Sequence, residues 1–134
     1  KAIDQAHERT SVSVIPQQCK EQRVRSAQTW LSNELASMGL VSWGEVLDAG
    51  TGYASMCWLL RQQFHNITGV TAEASDIFGL RGLTRMISNA TSAVTISEGN
   101  WRDDSLLAGR SFDVVVSDYL LGAIEFHWPH GGDA

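Results

Sequence analysis

The sequence predicts a single α/β domain built around a parallel sheet, and three observations lead to that reading. Short apolar runs alternate with amphipathic segments about a dozen residues long. The first run closes in Gly50-Thr51-Gly52 and passes directly into a helical segment. The chain has 134 residues, of which 43% are hydrophobic and 19% charged. A chain of that length buries roughly 70% of its unfolded surface, enough for one core with no room for a second full domain. This composition is neither that of a disordered chain nor that of a collagen-like repeat. No stretch approaches the ~18 consecutive apolar residues of a membrane span.

Residues 1–17 are polar and mixed, end near Pro16, and read as an irregular lead-in; the domain proper is expected over 18–134. From Gln18 to Met38, Val24, Ala27, Leu31, Leu35 and Met38 recur at helical spacing, with Gly39 as the stop. Glu45–Ala49 is a short apolar strand, and Tyr53–Phe64 a helix apolar on most sides, as suits packing on a sheet. A second strand follows at Ile67–Thr71, then a helix from Ser75 to Ser88 and a third strand at Val94–Ser97. A polar stretch leads to Phe112–Ser117, the most strand-like segment of the chain. The order β-α-β-α-β-x-β implies right-handed crossovers and a parallel sheet covered on both faces.

Charge narrows the function classes. Residues 1–67 carry six basic and six acidic side chains, whereas 68–134 carry four basic and nine acidic, which places the whole net charge of −5 in the second half. With an acidic half and no basic stripe, direct nucleic-acid binding is not expected. Cys19 and Cys57 are too few for a disulfide framework or a zinc site. They read as packing residues and suit a reducing, cytoplasmic setting. The chain opens at Lys1 with neither an initiator Met nor an apolar leader, and reads as an excerpt. The triplets Asn66-Ile67-Thr68 and Asn89-Ala90-Thr91 match the glycosylation sequon but stand without other secretory features. His127 and His130 are two tail histidines without further ligands at metal spacing, and no metal is expected.

In open parallel sheets, ligands bind outside the carboxyl ends of the strands, where this chain carries Asp48, Glu73, Asn100 and Asp118. The central feature is Asp48-Ala49-Gly50-Thr51-Gly52-Tyr53-Ala54, set between a strand and a helix. Glycine lets the backbone turn sharply and lets a ligand approach the main chain. The dinucleotide fingerprint G-x-G-x-x-G requires glycine where Ser55 stands, which disfavours a nicotinamide-dependent oxidoreductase.

The pattern acid-x-G-x-G-x-G/A in Val46–Ala54 resembles motif I of the class I S-adenosylmethionine-dependent methyltransferases. The resemblance runs over about residues 20–122: Glu98-Gly99-Asn100-Trp101 is similar to the family's adenine-pocket segment, and Phe112–Asp118 to its fourth strand with the acid that follows. It implies a Rossmann-like three-layer αβα sandwich, mainly parallel, in strand order 3-2-1-4 and truncated after about the fourth strand. It also implies S-adenosyl-L-methionine as cofactor, held by Asp48, Ala49, Gly50, Thr51, Gly52, Glu73, Asn100, Trp101 and Asp118. Carboxylates such as Asp48 and Asp118 would offset the sulfonium and ammonium charges of that ligand.

Alternatives stand beside these assignments. Asp48 also reads as a turn carboxylate, Glu73 as a solvated acid favoured by a helix start, and Trp101 as core filler. Where the family usually places its ribose-binding acid, this chain has Thr71, and Asn100 stands where an acid is common. Methyl transfer is an in-line displacement driven largely by proximity, so no diagnostic base is required. Asp118 and Tyr119 occupy the position of a substrate-facing acid and hydroxyl, although Asp118-Tyr119-Leu120-Leu121 is not the family's Asn/Asp-Pro-Pro-aromatic motif.

The expected function is therefore the cofactor-binding part of a methyltransferase acting on an unidentified small molecule or protein. The alternative is a non-catalytic methyltransferase-like module that mediates assembly. With a fourth strand left as an open apolar edge, self-association or a completing partner segment is expected.

Overall fold

A computed structural model describes residues 17–20, 23–85 and 94–117. Its elements are α1 (Gln17–Lys20), α2 (Ser26–Ser37), β1 (Glu45–Ala49), α3 (Tyr53–Leu59), β2 (Asn66–Thr71), α4 (Ala74–Arg85), β3 (Val94–Glu98) and β4 (Val114–Val116). The four strands form one parallel sheet in the order β3-β2-β1-β4, as the resemblance implied. Among the described residues, no helix is long and apolar enough to cross a membrane.

Alternation along the strands sorts the side chains between two faces. Val46, Ile67, Val94, Ile96 and Val116 pack with Met56, Leu59, Leu60, Leu80 and Leu83 of the helical layer and with Phe64 beyond α3. Phe64, Met56, Leu59 and Leu60 are essentially solvent-free, and such burial stabilises by about 1.5–3 kcal/mol per side chain. On the opposite face, Leu47, Ala49 and Val70 are covered by Trp101, Leu106, Leu107 and Phe112. This covering is a succession of turns between β3 and β4. Asn100 and Asp103 each close a side-chain turn on the backbone two residues on, which competes with a helix there. Leu107 sits at φ 58° within that segment.

The single helix predicted over 18–38 is divided. Arg25 is extended at φ −76°, ψ 152°, and its N–H donates to Gln28 Oε1 at 3.1 Å, so α2 starts afresh at Ser26. Gly39 ends it as predicted, at φ +83°, with Leu40 N donating to Leu35 O and Gly39 N to Ala36 O. Trp58 Nε1 ties α3 to α2 through Ser32 Oγ at 3.1 Å, and Trp43 meets Trp58 edge-on.

The reading of Cys19 and Cys57 as separate packing thiols is corrected by the structure, which joins them in a disulfide between α1 and α3, with Cα atoms 5.0 Å apart. That separation lies within the range a disulfide spans. Arg61 Nη2 also donates to Cys19 O at 2.8 Å. The cysteines therefore no longer argue for a reducing compartment.

Gly69, in the middle of β2, lies close beneath the ends of three buried side chains. A Cβ there would lie 2.9 Å from Ile96 Cδ1, 3.0 Å from Thr51 Cγ2 and 3.1 Å from Met56 Cε. Gly69→Ala is expected to destabilise by about 1–3 kcal/mol through overpacking, read as a lowered urea midpoint at unchanged slope.

Candidate functional site

The strand register sets the site. Ala49 pairs with Val70 and Thr71 with Glu98, so β1, β2 and β3 end nearly level. The segments 50–52, 71–73 and 99–101 consequently share the carboxyl edge of the sheet, as predicted.

Gly50 turns the chain off β1 at φ +77°, a conformation that costs an ordinary L residue about 1–2 kcal/mol. The N–H groups of Gly50 and Thr51 both donate to Val70 O, at 3.0 and 2.8 Å, which fastens the loop to the end of β2. Gly52 is extended at φ −147°, ψ 179°, and a Cβ placed on it would meet no atom within 4 Å. The loop thus leaves an open approach above Gly52.

Asp48 lies beneath this loop on the helix-packed face of β1, with no exposed surface. Ser55 Oγ donates to Asp48 Oδ2 at 2.8 Å and accepts the Gly52 N–H at 3.1 Å. Asp48 Oδ1 and Thr51 Oγ1 are buried without a partner at hydrogen-bond geometry among the described residues. Burial pushes the Asp48 carboxyl above its ordinary range, with the Thr51 and Ser55 hydroxyls acting the other way. The folded protein therefore holds a proton there more tightly than the unfolded chain does. That contribution to stability is complete below the ordinary carboxylate range and is lost as pH rises through the raised value. Asp48→Asn removes this slope, so urea unfolding from about pH 4 to about pH 7 is expected to shift progressively in the variant's favour relative to wild type.

The remaining predicted residues lie along the same edge. Thr71 is buried, and its Oγ1 accepts the Glu73 N–H at 3.1 Å, which places the exposed Glu73 just beyond the tip of β2. Gly99 N donates to Thr71 O at 3.0 Å and brings the start of the next segment alongside. Asn100 is exposed, with its Oδ1 accepting the Arg102 N–H at 3.0 Å. Trp101 is half-buried and packs on the second face of the sheet. Asp118 and Tyr119 lie outside the described residues, as do the tail histidines and the expected end of α4 at Met86–Ser88.

Two residues of this region escape sequence reasoning. Ser55 reads there only as a missing glycine, since the capping box recognised in sequence has Ser or Thr at the N-cap and Glu or Gln three residues on, whereas here those positions are Gly52 and Ser55. Tyr53, at the first position of α3, lays its phenol against Gly79 of α4, where a Cβ would strike it.

No family profile and no curated protein sequence matches this chain. Among solved structures, it is similar to a protein from Galdieria sulphuraria provisionally assigned as a sarcosine dimethylglycine methyltransferase, with a TM-score of 0.51 and 17% identity. The match covers 78% of this chain and 41% of the other, so this chain spans less than half the length of that neighbour. The fold is methyltransferase-like.

Proposed function

We propose that this chain is the cofactor-binding part of an S-adenosylmethionine-dependent methyltransferase whose acceptor is a small molecule or a protein. The observation that carries the reading is the acid-x-G-x-G turn at the carboxyl edge of a β3-β2-β1-β4 sheet, with open space above Gly52. That opening fits a ligand lying against the main chain. The backbone of Gly50, Thr51 and Gly52 would hold the cofactor, with Ala49 and Asp48 below it. Glu73 would serve the ribose in place of Thr71, whose hydroxyl is engaged with the Glu73 N–H. Asn100 and Trp101 would flank the adenine, and Asp118 and Tyr119 would follow β4 toward the acceptor. When bound, the cofactor supplies an electrophilic methyl group; the chain's part is to bind and orient it.

A second reading, a non-catalytic assembly module, is favoured by β4. This strand forms one edge of the described sheet and exposes 58% of Val115. Under it the protein self-associates or takes up a completing segment.

Calorimetric titration with S-adenosylhomocysteine and, separately, NADH tests the first reading, with light scattering reporting mass. Saturable binding of the sulfur nucleoside at one site per chain, and none of NADH, is expected. A folded chain that binds neither, and scatters as an oligomer, moves the assignment to the assembly module.

A further inference from the structure

We infer that Ser55 is a positioning residue which couples the buried Asp48 carboxylate to the Gly52 backbone, so that Asp48 serves the site by bracing its loop rather than by touching the ligand. The inference rests on the cofactor reading above and assigns a division of labour within that site.

Three observations carry it. Asp48 is fully buried on the helix-packed face of β1, below the turn, and presents no surface to the opening above Gly52. Ser55 Oγ stands between the two groups, donating to Asp48 Oδ2 at 2.8 Å, with Gly52 O a longer alternative acceptor at 3.2 Å, and accepting the Gly52 N–H at 3.1 Å. The other carboxylate oxygen, Oδ1, is equally buried, as is the Thr51 hydroxyl of the same turn, and the Thr51 and Ser55 hydroxyls both act against the upward push of burial on the acid. Asp48 is thus set against hydroxyls of the loop and of the first turn of α3. Gly52 has no side chain of its own to satisfy its backbone, and its extended conformation is one that many loop arrangements share. The Ser55 bridge selects one of them, with the Gly52 N–H directed inward and the open side directed away from the core. A brace of this kind acts equally on ligands of any charge that rest on the loop, whereas a direct ionic contact favours a cation.

The test separates these two behaviours. S-adenosylmethionine carries a sulfonium, and S-adenosylhomocysteine carries a neutral sulfide on an otherwise matching frame. Ser55→Ala, Ser55→Thr and Asp48→Asn are compared with wild type by calorimetry against both nucleosides, and by hydrogen exchange of the Gly52 amide in the free protein. Ser55→Ala is expected to speed Gly52 exchange and to weaken both ligands by a similar factor, on the order of tenfold. Ser55→Thr, which keeps the hydroxyl, restores both readouts. Asp48→Asn keeps an acceptor for Ser55 and loses the charge, so both affinities stay within about threefold of wild type. Unchanged Gly52 exchange in Ser55→Ala overturns the brace, and so does an Asp48→Asn variant that loses at least tenfold in affinity, for S-adenosylmethionine alone (a contact to the sulfonium) or for both nucleosides (a contact to their shared ammonium). If Ser55→Ala does not fold, the two affinities of Asp48→Asn, each compared with wild type, separate the brace from an ionic contact by themselves. If wild type binds neither nucleoside the cofactor reading falls, while the exchange measurement still decides the brace.

Discussion

Gly52→Arg is expected to abolish binding of S-adenosylhomocysteine while leaving the fold intact. The two halves of that expectation come from different features of one residue. Gly52 is extended at φ −147°, ψ 179°, a backbone conformation open to any residue, and an added Cβ meets no atom within 4 Å. Glycine is a better N-cap than residues without a capping side chain, so its replacement costs the helix about 1 kcal/mol, too little to unfold the domain. The same open space is where the ligand is proposed to rest, and a guanidinium on a long stem fills it. A loss of affinity on the order of 100-fold, about 2.8 kcal/mol, is expected by calorimetry, with the urea midpoint only slightly lowered. Gly50 is a poorer probe, because its φ of +77° makes any substitution a test of stability as well. An arginine variant that binds as wild type does would remove the loop from the site.

The second large effect concerns stability. Cys19 and Cys57 are 38 residues apart, and closing a loop of that size removes about 3–4 kcal/mol of conformational entropy from the unfolded chain. The four-residue α1 is too short to hold its own conformation. The disulfide and the Arg61 bond to Cys19 O tie it to α3 and the turn that follows. Urea unfolding with and without reductant, repeated on Cys57→Ala, is expected to show a loss of that order in both cases. Equal midpoints under oxidising and reducing conditions would mean that the bridge contributes nothing to folding.

The parts of the fold that follow from local pattern are legible in the sequence. Glu45–Ala49 reads as a strand because an apolar run ends in Gly50, and the structure gives β1 those bounds. Gly39 marks a helix end because left-handed backbone is needed there. The misreadings arise where a side chain reaches outside its own element. Val24 fits the helical period of α2 but belongs to the chain before Arg25, whose extended backbone no periodicity reveals. The helix predicted to Phe64 stops at Leu59, since a segment apolar all round gives no phase by which to place its end. The fourth strand is three residues rather than six because pairing with β1 lasts only from Val46 to Asp48. Phe112 turns away to cover the second face. Asp113 instead accepts the Glu45 N–H at 2.8 Å, closing the start of β1.

At the site, the positions of Asp48, Gly50, Gly52, Glu73 and Asn100 along one edge follow from topology and are readable. The disulfide and the Ser55 bridge are not, since each depends on which residues the fold brings together. A separation of 38 residues leaves no local trace of the first. The second needs the depth of Asp48 below the turn, which sequence spacing does not report.

The proposed function stands or falls on a sulfur nucleoside binding at the carboxyl edge of this sheet. Amide chemical-shift mapping during titration with S-adenosylhomocysteine reports both binding and place. Shifts are expected to concentrate in Asp48–Ser55, Thr71–Glu73 and Gly99–Trp101. Shifts gathered at the opposite edge, around Trp43–Glu45, His65 and Asp113, or the same shifts produced by NADH, would overturn the assignment.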